Sequence, residues 1–299
     1  MMEPQDVRSP NGQTDGGGIQ PLNVETRTQR LVNARFQAET TFWADIYDGA
    51  DVLALMTQRR RDVALAWIEE LQMPVQARIL EVGCGAGLMA VELANRGFQV
   101  DATDAVAEMV ELTSRHAEEA NVSARVRAAL GDVHALDFAE DTFDVVIAMG
   151  VLPWLHSPQT AIREIGRVLK PDGRLIITAN NRNRLPFLLD PVYNPTLRPL
   201  RRAVKGLLVR LGMRFTREGV SPRTHSLREV DALLRAGGLE KVTGCTVGFG
   251  PLTFFRLSVL PMRLQQRLHH WFQLRADHGV LGIRSLGAQY VVLARRESA

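Results

Sequence analysis

A chain of 299 residues, 45% hydrophobic and 23% charged, is long enough to bury a full core and has neither a disordered nor a fibrous composition. Its formal charge of +3 comes largely from arginines interleaved with Asp and Glu, as on solvated helix faces, which argues against a nucleic-acid partner. Two cysteines, Cys84 and Cys245, argue against a disulfide framework and for a reducing compartment; without a charged-then-apolar leader or a membrane-length apolar run, the expectation is a cytoplasmic enzyme.

Residues 1–22, rich in Gly, Pro, Ser, Asn and Asp with no apolar period, predict a disordered tail. Two helices follow, over about 26–48 and 52–71; in the second, Val63, Ala64, Trp67, Ile68 and Leu71 form a buried stripe. Together they make an N-terminal helical cap, residues 23–75. From 77 onward ARILEV, FQVDAT, RVRAAL, FDVVIAM and RLIITAN predict strands, with amphipathic helices between most of them. That alternation calls for an α/β fold, a parallel sheet with helices on both faces.

Punctuation agrees with periodicity. Gly97 ends the first of these helices, Ser157-Pro158 caps another that stops at Lys170-Pro171-Asp172-Gly173, and Ser226 with Glu229 predicts a capping box for a helix over 227–236. LEKVTGCTVGF and QYVVLAR predict two last strands around a helix over about 261–276. The cofactor-binding core thus spans 77–180, a helical insert after the fifth strand spans 181–225, and C-terminal helices and strands occupy 226–299, all in one domain from residue 23.

The stretch EVGCGAG is a strand-to-helix glycine turn, where backbone can approach a ligand beyond the carboxyl end of the sheet. A dinucleotide fits it poorly, because Leu88 stands where glycine or alanine is required and Glu81 would repel a pyrophosphate. Glu81 would instead attract an ammonium or sulfonium. Asp104, at the end of the second strand, is placed for a ribose diol, and Asp132 with Val133 after the third strand for an adenine amine and ring. A cationic nucleoside with those groups is S-adenosylmethionine.

In this order, EVGCGAG, Asp104, GDVHALDF, FDVVIAMGVL and REIGRVLKPDGRLIIT resemble the class I S-adenosylmethionine-dependent methyltransferases of the small-molecule type. The resemblance implies a Rossmann-like, seven-stranded, mostly parallel sheet whose last strand is inserted antiparallel. It places Glu81, Gly83, Cys84, Gly85 and Gly87 at the methionine end, Asp104 at the ribose, and Asp132 and Val133 at the adenine. Ala105 and Met109 would pack near the base, and Met149 and Gly150 beside the sulfonium. It also implies no nucleic-acid base as acceptor, since MGVLPWL lacks the Asn/Asp-Pro-Pro-aromatic pattern, and no metal, since that loop holds no acid.

A hydroxyl acceptor needs a base, for which His156 is the first candidate and His225 the second. Trp43, Tyr47, Trp154, Asn181 and Tyr193 are candidates to contact the acceptor, with Asn180 beside Asn181 at the fifth strand's end able to bond a polar group of it and Trp43 and Tyr47 on one helix face. Phe187, Leu188, Phe249, Phe254 and Phe255 add apolar surface and point to a small hydrophobic acceptor. Oxygen is the expected acceptor atom, with a quinone-like ring carbon as the alternative. An NAD-dependent oxidoreductase and a cofactor-binding module without turnover are the rivals from other classes. In residues 197–211, Leu197, Leu200, Val204, Leu207, Leu208 and Leu211 alternate with Arg198, Arg201, Arg202, Lys205 and Arg210: a basic amphipathic helix, expected either to pack as a lid or to lie on anionic membrane. The oligomeric state has no signal in the sequence.

Overall fold

The computed structural model describes residues 27–46, 49–210, 220–258 and 260–298. The expected tail over 1–22, Tyr47 and Leu211 lie outside the described residues. Where one helix was expected over 26–48, α1 (Arg27–Ala38) and α2 (Thr40–Ala44) are separated at Glu39. The Thr40 hydroxyl turns back onto the Gln37 carbonyl at 2.8 Å, competing with the backbone ladder at the break. Helix α3 (Val52–Glu70) opens with Asp51 accepting from the Ala54 amide at 2.8 Å, a cap worth about 1 kcal/mol.

The alternating region then runs β1 (Arg78–Val82), α4 (Leu88–Asn95), β2 (Gln99–Asp104), α5 (Ala107–Glu119), β3 (Val126–Leu130), β4 (Phe143–Ala148), a 3₁₀ turn at Leu152–Trp154, α6 (Pro158–Val168) and β5 (Leu169–Asn180). After it come α7 (Leu185–Leu189), a second 3₁₀ turn at Pro195–Leu197, α8 (Arg198–Arg210), α9 (Leu227–Ala236), β6 (Leu239–Val247), a hairpin of β7 (Thr253–Phe254) and β8 (Leu257–Ser258), α10 (Met262–Asp277) and β9 (Gln289–Arg296). Seven strands form one sheet in the order β3-β2-β1-β4-β5-β9-β6, with β9 antiparallel to both neighbours. This is the Rossmann-like sheet expected from the sequence.

Two local details differ. Ser157 does not cap α6; its hydroxyl bonds Thr160 Oγ1 at 2.8 Å, although Pro158 does open the helix. The Lys170–Gly173 turn lies beyond α6, as an irregularity inside β5: Leu169 pairs with Phe143, and pairing resumes with Arg174 opposite Val145. Both α9 features hold, with Ser226 and Glu229 forming the reciprocal cap.

Successive residues of the central strands serve opposite faces, because strand side chains alternate. Leu80, Val146, Leu175 and Val292 pack under α6 and α9, while Ile79, Val145, Ile176 and Val291 pack under α3 and α4. The strands are buried on both sides and so read as unbroken apolar runs. Helix α3 is therefore a layer of the fold, with Ala64 and Ile68 fully buried, and only α1 and α2 are free to act as a cap. Strand order reverses between β1 and β4, and a crevice opens at the carboxyl ends on either side of that reversal.

Candidate active site

The crevice is a cavity of about 720 Å³ with two unlike halves. One half is built by strand ends and the turns after them; the other by α1, α2, the first 3₁₀ turn and the start of α7.

In the sheet half, Glu81 at the end of β1 is buried and its Oε2 has no hydrogen-bond partner. Burial, reinforced by nearby Asp104, raises the carboxyl to about 8 in spite of the Ala90 backbone and Arg60. A buried acceptor without a donor costs folding free energy that a cationic ligand would recover. Arg60 reaches the same end: its Nη1 lies 3.2 Å from where a Cβ on Gly150 would stand, and its Nε is buried without a partner. Paired opposite charges of this kind suit a zwitterionic amino acid. Arg60 went unnoticed in the sequence although the signal was present, since it lies four residues before Ala64 on the buried stripe.

Asp104 accepts from the Gly85 amide at 2.9 Å and the Val106 amide at 3.0 Å, so it holds the glycine turn against α5. Burial raises its carboxyl nonetheless. A carboxylate has lone pairs beyond those two bonds, enough to meet a diol. Gly85, at φ 55°, has no atom within 4 Å of where a Cβ would stand and borders the open cavity. At Gly87 a Cβ would strike Thr113 Cγ2 at 2.5 Å, so glycine is what lets α4 start beside α5. Gly83, Cys84, Ala105, Met109, Asp132, Val133, Met149 and Gly150 all line the same half. Apart from Gly87, which does not border the cavity, the predicted cofactor residues line this half, and their donor set fits S-adenosylmethionine.

The helical half departs from prediction. Trp43 lines it, with its Nε1 buried and unpartnered, and Trp154 lines it with an edge-to-face contact to Phe36 at 5.2 Å. Asn181 does not: its Nδ2 donates to the Ser285 and Gly287 carbonyls, both at 2.8 Å, and its Oδ1 accepts from the Asn183 amide. It is a buried pin between β5 and the segment before β9; its neighbour Asn180 faces the cavity instead. Tyr193 stacks on Phe187 at 4.5 Å, outside the cavity lining. None of Phe187, Leu188, Phe249, Phe254 and Phe255 lines the cavity either; Phe249 is core and Phe254 and Phe255 are exposed.

Neither predicted histidine borders the cavity. His225 extends β5 by backbone bonds to Asn180 and Arg182, and its Nδ1 is buried without a partner. His156 stacks on His134 at 3.7 Å with Nδ1 3.5 Å from Gln29 Oε1; burial and His134 lower its pKa. His134 does line the cavity, but on the Asp132 side. Its Nδ1 lies 2.6 Å from Asp132 Oδ1 and its Nε2 accepts from the Ser157 amide at 3.4 Å, which assigns the proton to Nδ1. Burial pushes Asp132 up, but those bonds from His134 outweigh it and its pKa falls.

Residues 80–177 match the family described as methyltransferase domain. By this match that stretch, about a third of the chain, is a methyltransferase domain. Among related proteins, the ubiquinone biosynthesis O-methyltransferase of Xanthomonas axonopodis pv. citri is 34% identical over 130 residues, covering 44% of this chain and 54% of that one. Its counterpart in Aeromonas salmonicida is 29% identical over 169 residues, 56% of this chain and 69% of that one. The aligned stretches therefore span little more than half to two-thirds of these relatives. Among solved structures, the magnesium protoporphyrin IX methyltransferase of Synechocystis with bound SAH superposes with TM-score 0.61 at 16% identity, over 90% of this chain and all of that one. A [4+2]-cyclase, SpnF, superposes with TM-score 0.59 at 19% identity, over 92% of this chain and 97% of that one. A cyclase on the same fold means that the methyltransferase domain's chemistry has to be read from its site.

Proposed function

We propose that the chain transfers the methyl group of S-adenosylmethionine to an oxygen of a small, largely hydrophobic, quinone-like acceptor. The observation that carries this reading is Glu81, a buried carboxyl with an orphaned oxygen beside Arg60, at one end of a cavity whose other end is aromatic. Glu81 takes the ammonium of the cofactor's amino-acid tail and Arg60 its carboxylate. Asp104 takes the ribose diol, Asp132 the adenine amine, and Val133, Ala105 and Met109 the ring. Met149 and Gly150 border the sulfonium.

S-adenosylmethionine supplies a methyl carbon already activated by its sulfonium. The chain's own work is to hold the acceptor oxygen in line and keep water out. Phe36 and Trp154 flank the acceptor, and the Trp43 indole N–H, buried without a partner, donates to one of its oxygens. The relatives named for ubiquinone O-methylation support oxygen over ring carbon. The free thiols Cys84 and Cys245 support a reducing, cytoplasmic setting. The test is transfer of labelled methyl to alkyl-substituted catechols, located by product mass spectrometry. Product methylated on oxygen is expected; label on ring carbon, or in no phenol at all, overturns the reading.

We also propose contact with anionic membrane. Among the described residues no helix is long and apolar enough to cross a membrane. The described apolar side chains of α8 support membrane contact over a packed lid: none of them is buried, and Leu200 and Val204 are 61% and 48% exposed among arginines, while Leu207, Leu208 and Leu211 of the stripe lie outside the described side chains. Phe254 and Phe255 at the hairpin tip are exposed too, and buried Asp190 ties that hairpin to the segment before α8 through Thr253 and the Arg256 amide. Basic charge beside exposed apolar side chains suits an anionic bilayer surface. Co-sedimentation with anionic but not neutral vesicles is expected; no binding to either rejects it.

A further inference from the structure

Three arginines line the cavity, and two have an acid at hand. Arg35 pairs with Glu39 at 3.1 Å, and Arg60 lies in the field of Glu81. Arg184 has neither: among the described residues its guanidinium pairs with no carboxylate and forms no hydrogen bond. What it meets is an aromatic face. Its Cζ lies 3.5 Å from the centre of Phe187, Phe187 stacks on Tyr193, and Arg256 covers Tyr193 at 5.4 Å, so that two stacked rings lie between two cations in one column.

That column fixes the guanidinium's plane. Stacking occupies the face of the group and leaves its N–H donors, which lie in the plane, without acceptors. Burial lowers Arg184 to about 10, which still leaves it protonated at neutral pH. A cation in so apolar a surrounding is costly unless an anion meets it, and a planar fork of donors is matched best by a planar carboxylate. Arg184 directly precedes α7, just past the end of β5, on the acceptor side of the cavity and away from the glycine turn.

We infer that the acceptor carries a carboxylate besides its apolar body, and that Arg184 binds this carboxylate through paired N–H donors. This deepens the proposed methyl transfer and rests on it for the assignment of the two halves. Arg184 is on this reading a specificity residue that tells an anionic ring from its neutral analogue; the methyl donor does not touch it.

The test uses the full chain and two probes of one shape, 4-octylbenzoate and 4-octylbenzamide, titrated below their micellar concentrations with and without saturating S-adenosylhomocysteine. Benzoate is expected to bind on the order of tenfold tighter than benzamide, the usual scale of a charge-assisted pair. Arg184→Met is expected to abolish that preference while leaving benzamide and S-adenosylhomocysteine affinities unchanged, which also shows that the variant folds. Arg184→Lys, a point charge in place of a fork, is expected to restore it only in part. Equal binding of the two probes to the unaltered chain, or a preference that survives in Arg184→Met, overturns the inference. So does loss of S-adenosylhomocysteine binding in Arg184→Met, which would put the guanidinium on the cofactor. A chain that binds no S-adenosylhomocysteine yet keeps the benzoate preference would sink the methyltransferase reading and leave the carboxylate site standing.

Discussion

The two halves of the cavity differ in how they are built. The sheet half takes its residues from the ends of β1, β2, β3 and β4, where parallel pairing sets every backbone position and Asp104 ties the glycine turn to α5. The helical half takes Phe36 and Trp43 from two short helices, Trp154 from a 3₁₀ turn and Arg184 from the entry to α7, elements with no strand partner to fix them. A site anchored in a sheet is rigid and shared across the fold; one assembled from added helices is free to differ between relatives. The halves should therefore respond to mutation separately.

The largest separation is expected from Glu81→Gln. It should weaken S-adenosylhomocysteine by about a hundredfold in calorimetry, the scale of a buried charge-assisted bond, and leave probe binding in the helical half intact. The same variant should be more stable than the unaltered chain at pH 8. The sign follows from the proton: folded Glu81 keeps it up to about 8, whereas the unfolded chain releases it near 4.5, so stability is lost across that window as pH rises, and Gln does not titrate. A melting temperature several degrees higher at pH 8, with little difference at pH 5, is the expected readout. Equal melting at both values would mean that Glu81 is ionised in the free protein.

The same carboxyl predicts a pH dependence of the cofactor half alone. An ammonium binds the ionised form, so affinity for S-adenosylhomocysteine should fall about tenfold for each pH unit below 8, with one proton released on binding. Calorimetry in buffers of different ionisation enthalpy counts that proton. In the other half, Trp43→Ala should raise the acceptor KM about tenfold through lost ring contact and the lost indole donor, without moving cofactor affinity. The smallest effects are expected from His156→Ala and His225→Ala, each within about threefold in kcat, the range of changes away from the reacting groups. A hundredfold loss at either would return a histidine to the chemistry and erase the distinction drawn between lining and non-lining residues.

How far each half was legible follows from the same contrast. Glu81 and Asp104 sit at the carboxyl ends of β1 and β2 and Asp132 two residues past β3, where a parallel sheet directs the strand ends and the turns after them to one edge. Histidines in loops carry no such constraint. His225 follows a proline turn and bonds to β5 through its backbone, and Asn181, one residue past Asn180, points away from the cavity because successive strand residues alternate. Arg60 stood on the helical stripe and was readable; Arg184 was not, since Arg182, two residues past the same strand, offered an equal claim and pairs with Glu229 instead.

Local periodicity and turn chemistry, both properties of neighbouring residues, were enough to specify the strands, their order of appearance and the acids at their ends. The choice of which asparagine and which aromatic rings meet in the second half came from contacts between segments over a hundred residues apart, Asn181 with Ser285 and Phe36 with Trp154. Those contacts depend on how surfaces fit once the sheet has formed, and no pattern along the chain encodes that fit.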